Sequence, residues 1–190
     1  SICLELLKEE NITIDTEVSS IGGMSKGYEK LIDEAVSGND SLGGIVKITV
    51  NNLPVGLGEP YFDKVDALLA RGLFSVPSVK GVSFGLGFEI AKLKGSEAND
   101  EFYYDGGYVK TKTNHSGGVN GGLTNGMPLV INVAIRPTPS IGKEQNTISL
   151  KKSKNVKLEI KGRHDTIHVF RTQIVLKAVV ALVICDFMMK

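Results

Sequence analysis

A chain of 190 residues with 42% hydrophobic and 23% charged side chains is long enough to bury one core and has the balance of a folded soluble domain. Its net charge of +1 leaves no global field that would call for a nucleic-acid or membrane partner. Two cysteines and three histidines give no metal-ligand spacing, and the apolar run 179–184 is too short to span a bilayer.

Charge is unevenly spread along the chain. Residues 1–40 carry nine acidic side chains against three lysines, while 143–163 carry seven Lys/Arg against two Glu. The basic stretch (Lys151, Lys152, Lys154, Lys157, Lys161) reads most simply as a solvated strand edge, with attraction of an anionic ligand as the alternative. Cys3 and Cys185 sit among apolar residues, which reads as buried free thiols in a reducing compartment.

The chain starts at Ser1 without Met and runs into Ile2, Cys3, Leu6 and Leu7, a helical spacing with no N-cap in front, so it reads as a cut through a helix. That helix is predicted to end near Asn11, and Ile12, Ile14 and Val18 then alternate as a strand. A helix follows over 27–36, and a β-branched strand over 43–50. Residues 53–60 form a loop stiffened by two prolines and freed by two glycines. An amphipathic helix is predicted over 61–72, with Phe62, Val65, Leu68 and Leu69 on one face. A strand over 79–84 and a short helical turn over 88–93 come next. Residues 105–126 hold seven glycines and almost no apolar periodicity, a long loop. Strands over 127–135 and 156–160 and a long final helix after Asp165 complete the chain. No repeat and no linker divides it. Strands and helices mix without regular βαβ alternation, so the expected class is α+β, one domain over 1–190.

Three polar segments could carry chemistry. In Asn114-His115-Ser116-Gly117-Gly118-Val119-Asn120-Gly121-Gly122, paired glycines let backbone approach a ligand and aim N–H groups at a phosphate or a ring edge. No Gly-Lys-Ser/Thr follows it and it opens no helix, so neither a P-loop nor a dinucleotide fold is signalled. Gly162-Arg163-His164-Asp165 lies between a strand and a helix. Arg163 there can take phosphate or carboxylate bidentately, Asp165 is either an N-cap or a catalytic carboxylate, and nothing local decides whether His164 is a base. Arg136-Pro137-Thr138-Pro139-Ser140 ends a strand, and its prolines hold the backbone extended, which leaves the Thr138 and Ser140 hydroxyls free for a ligand or simply makes a sheet-exit turn. His168 reads as a surface or capping residue of the last helix. The residues alone imply an anionic-ligand site with no reaction specified.

The same segments, in order, resemble chorismate synthase. Gly56-Leu57-Gly58-Glu59-Pro60 with Phe62-Asp63-Lys64 and Asp66-Ala67 is similar to the family's central stretch, and Ser75-Val76-Pro77-Ser78-Val79-Lys80-Gly81-Val82 is similar to the family's next segment. Gly95-Ser96, Asn99-Asp100-Glu101-Phe102, Asn114 to Gly118, Gly121-Gly122, Arg136 to Ser140, and Gly162 to Asp165 with Arg171 continue the match over more than 110 residues. The resemblance implies part of a β-α-β sandwich, with helices between antiparallel sheets, in a cytoplasmic homotetramer. It implies 1,4-anti elimination of phosphate from 5-enolpyruvylshikimate 3-phosphate, with reduced FMN required although no net redox occurs, and no nucleic-acid or membrane partner. Whether NADPH or an outside reductase reduces the flavin stays open.

By the same resemblance, Pro77 and Ser78 lie along the FMN and Gly121 sits in a loop that closes on it. Arg136, Pro137, Thr138, Pro139 and Ser140 hold the flavin, with Arg136 where a lysine is more usual. Arg163 touches both flavin and substrate, and Asp165 lies near flavin N5 and helps remove the substrate proton. Thr166-Ile167 stand where the family has Pro-Cys, and Lys177 where it has Glu, changes expected to tune the last helix. The family's Gly-Glu-Ser-His-Gly and Arg-Ser-Ser-Ala-Arg-Glu-Thr segments are not in these 190 residues. The alternative to catalysis is therefore a non-catalytic FMN- or phosphate-binding fragment or interaction module, and the chain alone is expected to be inactive.

Overall fold

Four strands that alternate apolar and polar residues build the sheet on which everything else hangs. In the computed structural model, which describes residues 2–189, strands β1 (Thr13–Ile21), β2 (Gly44–Asn51), β3 (Val79–Phe84) and β8 (Leu129–Ile135) pair antiparallel in the order β1-β2-β8-β3. Register follows from alternation, because a slip of one residue would turn every apolar side chain to the wrong face. Ile48 opposes Ile131 and Val46 opposes Val133, all fully buried, while Lys47 opposes Asn132 on the other face.

Helices α1 (Ile2–Glu9), α3 (Val65–Phe74) and α5 (Val169–Met188) supply the other side of one contiguous core through Leu7, Leu69, Leu73, Leu176, Val180 and Ile184. Helix α2 (Glu29–Ser37) lies between β1 and β2 in the chain. Mixed helices and antiparallel sheets are the class expected from sequence. Large apolar side chains remain exposed on the helices, among them Ile2, Phe74, Ile174 and Leu182. Among the described residues no helix is long and apolar enough to cross a membrane. None of their His, Cys, Asp and Glu side chains form a group that could hold a metal.

The helix expected over 61–72 is split. A 3-10 turn at Tyr61–Asp63 precedes α3, and Lys64, in extended conformation, separates them. Tyr61 adopts φ +61, which an α-helix cannot contain, so Phe62 turns outward and is 91% exposed instead of joining Val65 and Leu69. Residues 87–92 form a 3-10 helix, followed by the single turn α4 (Gly95–Ala98).

The glycine-rich segment is not an unstructured loop. Hairpins β4 (Phe102–Asp105) with β5 (Tyr108–Thr111), and β6 (Val119–Asn120) with β7 (Leu123–Thr124), occupy it. Gly-Gly turns at 106–107 and 121–122 close them, all four glycines at positive φ, as two-residue hairpin turns require. A third hairpin joins β9 (Gln145–Ser149) to β10 (Lys154–Leu158). It exposes the lysine-rich stretch to solvent, and β10 lies two residues earlier than expected. Cys185 is buried and Cys3 half-buried, and the Cys185 thiol donates to the Cys3 carbonyl at 3.4 Å, which joins α5 to α1.

Candidate functional site

Three segments converge where β8 ends. The Arg136 N–H donates to the Ser78 carbonyl at 2.9 Å, one step beyond the β3–β8 ladder. Ser78 holds φ +75, a conformation costing a side-chain-bearing residue roughly 1 kcal/mol or more. Such strain persists where the surroundings fix it, and it clusters at ligand sites. Gly43 lies so close to Pro137 that a Cβ there would meet its ring carbon at 2.9 Å. The Ser41 hydroxyl donates to the Thr138 carbonyl at 2.6 Å, and the Leu42 N–H to the Thr166 carbonyl at 2.8 Å. Residues 77–78, 136–140 and 163–168 are thereby laced to one end of the sheet.

Arg163, His164, Asp165 and Arg171 line an open recess of about 410 Å³. Asp165 forms an ion pair with Arg171, which comes from the first turn of α5. His164 Nε2 lies 2.8 Å from the Ile160 carbonyl, so that nitrogen carries the proton. Arg163 and Arg136 are exposed and make no ion pair among the described residues, leaving two guanidinium groups available for an anion. Pro77, Pro137 and Pro139 are exposed, Ser78, Thr138 and Ser140 half-buried, and none of them lines this recess.

Asp165 is not the N-cap of α5. That position falls on His168, which makes no side-chain capping bond. Nor is the Thr138 hydroxyl free: it lies 3.0 Å from His168 Nδ1, which ties the 136–140 segment to the start of α5. His168 Nε2 is buried without a partner. Burial lowers the His168 pKa below the ordinary 6.5. The unfolded chain then takes up a proton below 6.5 that the folded chain refuses until lower pH, so stability contributed by neutral His168 is lost as pH falls through that window. Denaturation midpoints are expected to drop between pH 7.5 and 5.5, and His168→Gln to remove much of the drop. An equal drop in the variant would assign it to other groups.

Gly121 stands elsewhere. The adjoining Gly122 carbonyl accepts from the Val65 N–H at 2.9 Å, where α3 begins, and Gly118 packs on Pro128 and Leu129. This is the opposite end of β8 from Arg136, roughly 20 Å away for a seven-residue strand. The structure thus brings Ser78, Arg136 to Ser140 and Arg163 to Asp165 to one end, and Gly121 to the other.

Two residues gained a role only in three dimensions. Arg171 partners Asp165 from six positions along the chain. Asp100 accepts from Thr113, His115 and Ser116, where the sequence marked it only as one member of the segment Asn99-Asp100-Glu101-Phe102.

A family model described as chorismate synthase matches residues 1–189. The chorismate synthase of Chitinophaga pinensis is 44% identical over 178 residues, covering 94% of this chain and 53% of that protein. That of Methanocaldococcus jannaschii is 47% identical over 166 residues, covering 87% of this chain and 44% of the other. A crystal structure of chorismate synthase superposes with a TM-score of 0.80 at 27% identity, over 97% of this chain and 59% of that one. The chain spans about half the length of the relatives it matches. With the match running through both ends of the sheet and the whole of α5, the chain belongs to the chorismate synthase family.

Proposed function

We propose that this chain carries part of the site at which a chorismate synthase, a lyase of aromatic amino acid biosynthesis, eliminates phosphate from 5-enolpyruvylshikimate 3-phosphate with reduced FMN. The carrying observation is the recess in which Arg163 stands unpaired beside the Asp165–Arg171 ion pair, at the same end of the sheet as the strained Ser78 and the segment from Arg136 to Ser140. These groups fit a flavin mononucleotide. Arg136 and the Ser140 hydroxyl supply donors suited to one phosphate, and Pro77 to Ser78 with Pro137 to Pro139 offer backbone that pairs with no neighbour strand beyond Ser78. When bound, reduced FMN supplies an electron-rich ring that lends charge to the substrate as phosphate leaves.

The chain's own residues do the rest. Arg163 binds the substrate phosphate and stabilises the charge that grows on it. The Asp165 carboxylate takes the ring proton, and Arg171, in the first turn of α5, orients it through the ion pair. Retention of Arg163, Asp165 and Arg171 favours this reading over a non-catalytic binding module. Under the same reading the protein is a cytoplasmic homotetramer, and the exposed apolar side chains of α3 and α5 support burial against further protein.

Titration of the full-length protein by flavin fluorescence is expected to show tighter binding of FMN than of FAD. Arg136→Ala is expected to weaken FMN by about tenfold, the loss of a charge-assisted hydrogen bond. Equal affinity for FAD and FMN would count against a site built for one phosphate.

A further inference from the structure

We propose that His168 is a positioning residue for the flavin site: its imidazole clasps Thr138 and so fixes the segment 136–140 against the end of α5 that carries Arg171. The inference rests on the flavin reading of that segment. His168 Nδ1 lies 3.0 Å from the Thr138 hydroxyl oxygen, 30 residues away along the chain. The main chain of the same residue is tied to the helix. Its carbonyl accepts from the Arg171 N–H at 3.1 Å, the Thr172 N–H at 3.1 Å and the Thr172 hydroxyl at 2.9 Å. Arg171 in turn holds the Asp165 carboxylate. One residue therefore grips the flavin segment with its side chain, and the turn bearing the partner of Asp165 with its backbone.

The segment calls for such a clasp because it has left the sheet. The Arg136 N–H still bonds to Ser78, but Pro137 and Pro139 have no N–H to offer a neighbouring strand. Thr138 stands midway between Arg136 and Ser140, which supply the phosphate donors under the flavin reading, and it is fastened from two sides. Its carbonyl accepts from the Ser41 hydroxyl at 2.6 Å, which joins it to the chain leading into β2. Its hydroxyl meets His168, which joins it to α5. The state of the imidazole marks its use. Nε2 is buried and has no partner among the described residues. An unpaired buried ring nitrogen costs stability, and an apolar side chain of similar shape would avoid that cost. The bond to Thr138 is what the imidazole supplies and an apolar side chain could not.

His168→Phe in the full-length protein removes Nδ1 and the unpaired Nε2 together. FMN affinity is expected to fall by about fivefold or more, the worth of one hydrogen bond, while the thermal midpoint holds or rises. Thr138→Val breaks the same bond from the other side and should also weaken FMN, and Thr138→Ser, which keeps the hydroxyl, should recover most of that loss. In the double variant the loss should be no larger than in the weaker-binding single variant, because both substitutions break one contact. Unchanged FMN affinity in His168→Phe, whatever the midpoint does, would overturn the proposal and leave His168 a structural residue. Losses that add would overturn it too, since the two side chains would then act separately. If the phenyl ring prevents folding, His168→Leu, smaller and equally apolar, takes its place with the same expected result. Failure of the wild-type protein to bind FMN would overturn the flavin reading itself, and is told apart because it shows before any substitution.

Discussion

Asp165→Asn in the full-length protein is expected to lower turnover by about a hundredfold or more while flavin and substrate affinities change only a few-fold. The side chains of Asp165 and Arg171 are 36% and 75% exposed, so their ion pair adds about 1 kcal/mol or less to stability. The helix loses no cap, because the capping position belongs to His168. Folding therefore survives, and what disappears is a basic oxygen beside the recess. Arg163→Ala should differ in kind. It deletes an unpaired cation that, under the proposed function, meets the substrate phosphate, so substrate affinity should fall together with turnover. Steady-state kinetics beside a thermal melt separate these outcomes. Unchanged turnover in Asp165→Asn would remove the proton-accepting role and leave Asp165 only its contact with Arg171.

Much of the frame was legible because alternation and burial coincide. The strands at 43–50 and 79–84 and the final helix emerged within a few residues, since Val46, Ile48 and Val50 must all point the same way to reach Leu176 and Val180. What failed was set by pairing, not by the core. Gln145-Asn146-Thr147-Ile148-Ser149 has no apolar stripe and becomes a strand only because β10 lies beside it. Phe62 had helical spacing, and the positive φ of Tyr61 overrode it. The glycines of 105–126 suggested a long loop, yet two Gly-Gly turns close hairpins there and the buried Asp100 ties down the segment between them.

The site was legible in its residue types and less so in its connections. Arg163 and Asp165 stand where a strand gives way to a helix, as expected, but the partner of Asp165 lies six residues on, in the first turn of α5. The Thr138 hydroxyl, expected to face a ligand, is taken up by His168, which the sequence suggested only as a surface or capping side chain. Contacts across 30 residues, such as Thr138 with His168, leave no periodic trace in a sequence.

The decisive measurement is anaerobic chorismate formation from 5-enolpyruvylshikimate 3-phosphate, with FMN either reduced or oxidised. The 190 residues span 53% of the Chitinophaga pinensis enzyme and leave apolar helix surface open. Under the proposed function the substrate phosphate and the flavin both call for donors, Arg136 and Arg163 are the two unpaired arginines at this end of the sheet, and each donor lost typically costs about a hundredfold in rate. Turnover is expected from the full-length protein with reduced FMN, none with oxidised FMN, and none from these 190 residues alone. Turnover without reduced flavin, or robust turnover by the 190 residues by themselves, would contradict the proposed site and its chemistry.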